Sequence, residues 1–78
     1  MSSVASVQSA SQVLDAYFLE TRAKLIEIAA NLDRVDRAPG AAALAGDARL
    51  TFVQAALRVL QSSAGNRAEQ IQRLYSKD

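Results

Sequence analysis

From Leu14 to Val35 the chain repeats a pattern of steps of four and three residues: Leu14, Phe18, Thr21, Leu25, Ile28, Leu32 and Val35. That interval keeps every member on one side of an α-helix, because about 3.6 residues complete a turn. Sustained over three repeats it reads as a heptad seam. Tyr17 and Ala29 widen it, and Glu20 and Lys24 stand at the favourable i,i+4 spacing on its flank. Ser9 and Gln12 have the spacing of a capping box, with Ser11 as an alternative cap. Pro39-Gly40 closes the segment, since proline disfavours helix at the residue before it and glycine accepts positive φ. The pattern predicts one helix over residues 11–36, roughly 38 Å long. Residues 1–10, small and serine-rich, read as a mobile tail.

Two shorter helices follow. Residues 37–46 read as a loop, with room for a short helical turn in the alanine run after Gly40. Asp47 is a good N-cap for a helix over 48–62, in which Leu50, Val53, Leu57 and Leu60 repeat the spacing. Phe52, Ala56 and Val59 extend its apolar arc to about half the wheel. Gly65 is placed to be the C′ residue beyond that helix, and Asn66 with Glu69 has reciprocal capping potential for the next. The third helix, over 67–76, carries Ala68, Ile71, Leu74 and Tyr75 on one face, with Glu69 and Arg73 at i,i+4. Val, Ile and Thr occur only at helical spacing, so no strand is predicted. The expected fold is all-α. It is a three-helix unit with a long first helix, a second antiparallel to it and a short third, assembling into a helical bundle as an oligomer. Residues 11–78 are read as a single helical domain.

The long helix has more apolar surface than a helical hairpin needs. Leu19, Ala23, Ile26 and Ala30 are spaced four, three, four and form a second stripe, well round from the main seam. Few polar residues separate the two: Asp15, Glu20, Arg22, Lys24, Glu27 and Asn31. A helix apolar on two faces is buried on two faces. The third helix is too short to cover both this stripe and the end of the hairpin. A contact between copies through Leu19, Ala23, Ile26 and Ala30 is therefore expected, with small Ala23 and Ala30 allowing close approach.

Composition sharpens that expectation. Half of the 78 residues are apolar, but 16 of those are alanine. Alanine favours helix yet buries little area, so the potential core is thin. A domain of this size rarely gains more than ~3–5 kcal/mol from one core. The chain has no Cys and no His, which removes disulfides and zinc sites of the usual kind. Their absence also removes the thiol nucleophile and the commonest general base. A net charge of +1 offers no global field for nucleic acid or an anionic membrane. No apolar run approaches a membrane span, and residues 1–10 do not resemble a signal peptide, so the cytoplasm is the expected compartment.

Three constellations stand apart from the pattern. Glu20 and Glu27 lie two turns apart on one helix face, ~10 Å along the axis, at the long end for a carboxylate pair in glycoside inversion. A solvated face with Lys24 between them accounts for the pair better. Asp33-Arg34-Val35-Asp36-Arg37 closes the long helix with Arg34 and Arg37 at the negative end of the dipole and Asp33 and Arg37 at i,i+4. The segment Leu57–Tyr75 has the outline of a helix-turn-helix, in which Arg67, Gln70 and Arg73 would face bases and Lys77 a phosphate. Residues 40–78 carry five basic and three acidic side chains, a small surplus for that role.

The reading is a small non-enzymatic scaffold or adaptor that self-associates through its first helix and offers a seam to itself or to a larger protein. No cofactor, metal, membrane or small-molecule substrate is expected. The alternative is a nucleic-acid-binding module built on Arg67, Gln70, Arg73 and Lys77.

Overall fold

The structure is a computed structural model that describes residues 7–76. It is all-α. The elements are α1 (Ala10–Arg37), a 3-10 turn (Ala41–Leu44), α2 (Ala48–Gln61) and α3 (Arg67–Ser76). The chain divides between Pro39 and Gly40 into two units. The first is α1 and the residues before it; the second holds the 3-10 turn, α2 and α3.

Ser9 starts α1. Its hydroxyl accepts from the backbone N–H of Gln12 at 3.2 Å, and its own N–H donates to Gln12 Oε1 at 2.8 Å. The reciprocal box satisfies two donors that the first turn leaves open. With Ser9 as the cap, Ala10 is already helical, so α1 reaches into the segment read as a tail. Residues 7–9 have no regular structure, and the rest of that tail, residues 1–6, lies outside the described residues. At the other end Ala38 is extended, at φ −77° and ψ 150°, the conformation that the ring of Pro39 imposes. Its N–H donates to the Val35 carbonyl at 3.2 Å. Gly40 then turns the chain at φ +88°, a left-handed conformation that a Cβ would strain.

Asp47 caps α2 twice over. Its carboxylate accepts from the Arg49 N–H at 2.8 Å and from Arg49 Nε and Nη2 at 3.0 and 2.9 Å. The two-pronged guanidinium contact, followed by the backbone N–H, holds the Asp47 carboxyl down to about 2. The end of α2 departs from expectation. The helix stops at Gln61 and Ser62 is the C-cap, extended at ψ 169°. Its N–H and its hydroxyl both donate to the Val59 carbonyl, at 3.0 and 2.7 Å, and Arg67 Nε donates to the Ser62 carbonyl at 2.7 Å. With those carbonyls satisfied no left-handed C′ residue is needed. Gly65, at φ +87°, instead turns the link to α3.

The start of α3 also differs. Asn66 Oδ1 accepts from Gln70 Nε2 at 2.7 Å, and Glu69 turns to Arg73 at 2.6 Å rather than back to Asn66. The side chains prefer i,i+4 partners here, and the reciprocal cap is replaced.

α2 and α3 pack on each other. The Phe52 and Tyr75 rings meet edge to face, 5.4 Å between centroids and 67° between planes. Leu50, Phe52, Val53, Ala56, Leu57, Val59 and Ile71 are half-buried. Yet among the described residues no side chain is fully buried. Of the seam and arc residues, Leu14, Phe18, Leu25, Ile28 and Leu60 are exposed, and Leu32, Phe52, Val53 and Leu57 are only half-buried. An alanine-rich helix pair has too few large side chains to enclose any of its own.

Candidate functional site

Among the described residues, most of the exposed large apolar side chains are on α1. Every residue from Val7 to Ala29 is exposed. At ~100° per residue the second stripe lies roughly 160° from the main seam, on nearly the opposite side of the helix. Leu19 is 75% exposed and Ile26 51%, Ala23 is exposed, and Ala30 is half-buried. Phe18, on the main seam, is also about half exposed. Two narrow polar strips separate the stripes. Asp15, Arg22 and Asp33 form one, and Glu20, Lys24, Glu27 and Asn31 form the other.

Lys24 Nζ donates to Glu20 at 2.7 Å. The hydrogen bond, and then the charge, of Lys24 pulls the Glu20 carboxyl below its ordinary range; Glu20, and more weakly Glu27, hold the Lys24 ammonium above its own. A catalytic acid needs the opposite shift. The geometry therefore places Glu20 in a solvated ion pair with Lys24. At the C-terminal end Arg34 donates to Asn31. The ion pairs among the described residues are Glu20–Lys24, Asp47–Arg49 and Glu69–Arg73, so the expected Asp33–Arg37 pair is not formed.

The residues proposed for nucleic acid fall on α3 and are tied to the protein itself. Arg67 is held by the Ser62 carbonyl, Gln70 by Asn66 and Arg73 by Glu69. Lys77 lies outside the described residues. Each contact is exposed, and each takes up one donor of its side chain.

Sequence reasoning missed one feature of the second unit. Ala48, Arg49, Phe52, Val53, Leu74 and Tyr75 line an open concavity of about 520 Å³. The signal for it lies in the apolar arc of α2, which includes Phe52, and in the apolar face of α3, which includes Leu74 and Tyr75. The hollow is mainly apolar. Its one charged lining residue, Arg49, is committed to Asp47.

A scan of protein-family models, a search of curated proteins and a search of solved structures each find no match to this chain. Among the described residues no helix is long and apolar enough to cross a membrane.

Proposed function

We propose that the chain is a small non-enzymatic helical interaction protein, a scaffold or adaptor, which self-associates through α1. Leu19, Ala23, Ile26 and Ala30 form the interface, and the assembled form is a helical bundle. The observation that supports this reading is the bare apolar surface of α1 together with the absence of any fully buried side chain among the described residues.

The physical argument is one of magnitude. Ordering a residue costs about 1–2 kcal/mol of backbone entropy. Burial returns about 25 cal/mol per Å² of apolar area. An isolated helix gains little of that return and depends on packing for most of its stability. Leu14, Phe18, Leu19, Leu25 and Ile26 keep half or more of their surface in water. A second copy supplies the missing cover without disulfide or metal, and the same surface can be offered to a larger protein. The nucleic-acid alternative draws less support, because its three described residues on α3 already have internal partners.

Light scattering behind a sizing column, across a dilution series, tests the reading. A mass of at least twice 8.3 kDa that persists on dilution is expected. A folded monomer at all concentrations would overturn it.

A further inference from the structure

We draw no further inference here: the strongest candidate, the open apolar hollow that Phe52 and Val53 of α2 form with Leu74 and Tyr75 of α3, points to no occupant, because nothing in the structure shows what covers it and its one charged lining residue, Arg49, is already paired with Asp47.

Discussion

Leu25 and Ile26 are adjacent in the chain, lie on the two opposed apolar stripes of α1, and are equally exposed, at 50% and 51%. Neither stripe is more buried than the other at this level of the helix. Both therefore need cover, and a charge placed on either should report what covers it. Ile26→Glu is expected to halve the molar mass or more while far-UV circular dichroism stays helical. Leu25→Glu, on the heptad seam, is expected to reduce the helical signal as well. If Ile26→Glu unfolds the chain and Leu25→Glu only dissociates it, the roles of the stripes are reversed. An unchanged mass with Ile26→Glu would end the case for the second stripe.

The Ser9–Gln12 box carries the N-terminus of α1. Ser9→Ala removes the acceptor at 3.2 Å and should cost about 1 kcal/mol. Ser9→Gly should cost only a few tenths of a kcal/mol. Urea denaturation of the two variants side by side checks the order; a larger loss with glycine would mean that the box does not operate.

Asp47 gives the α2 cap a pH dependence of defined sign. Its carboxyl is held down to about 2 in the folded chain, chiefly by the Arg49 guanidinium, against roughly 3.9 when unfolded. A depressed carboxylate stabilises above the unfolded value and loses that contribution as pH falls through the folded one. The stability of α2 should thus be flat from neutral pH to about 5 and fall between about 4 and 2. Asparagine caps as well as aspartate but does not titrate in this range. Asp47→Asn should therefore remove this step from the acid titration of helicity, and persistence of the full step would assign it to another carboxylate.

The Phe52–Tyr75 contact fastens the end of α3. Tyr75 is 79% exposed, so its removal sacrifices little buried area, and the edge-to-face contact itself is worth about 0.5–1.5 kcal/mol. Tyr75→Ala should destabilise by that order and speed amide exchange in α3. Tyr75→Phe should be close to neutral, since the contact is made by the ring. Equal loss in both variants would assign the effect to the hydroxyl.

Several elements were legible before any coordinate. The four-three spacing placed α1, and Asp47 and Ser9 marked two helix starts, because caps and helical periodicity are properties of neighbours in sequence. The Glu20–Lys24 and Glu69–Arg73 pairs were readable for the same reason. Where two local options compete, the reading failed. Gly65 looked like the C′ residue of α2, but Ser62 ends that helix through its own hydroxyl and through Arg67, five residues on. Asn66 and Glu69 could cap each other, and each bonded a residue four positions ahead instead.

The sequence by itself thus determined an all-helical chain and the two stripes on its long helix, since both follow from intervals of three and four residues. It also determined that no cysteine or histidine chemistry is available. Only the tertiary structure decided that Phe52 meets Tyr75, that the candidate base readers of α3 are tied to their own backbone and neighbours, and that no side chain among the described residues is fully enclosed. Those outcomes depend on distance in space and on the volume available around each residue. An alanine-rich pattern specifies which side of a helix is apolar, but its small side chains cannot enclose the few large ones.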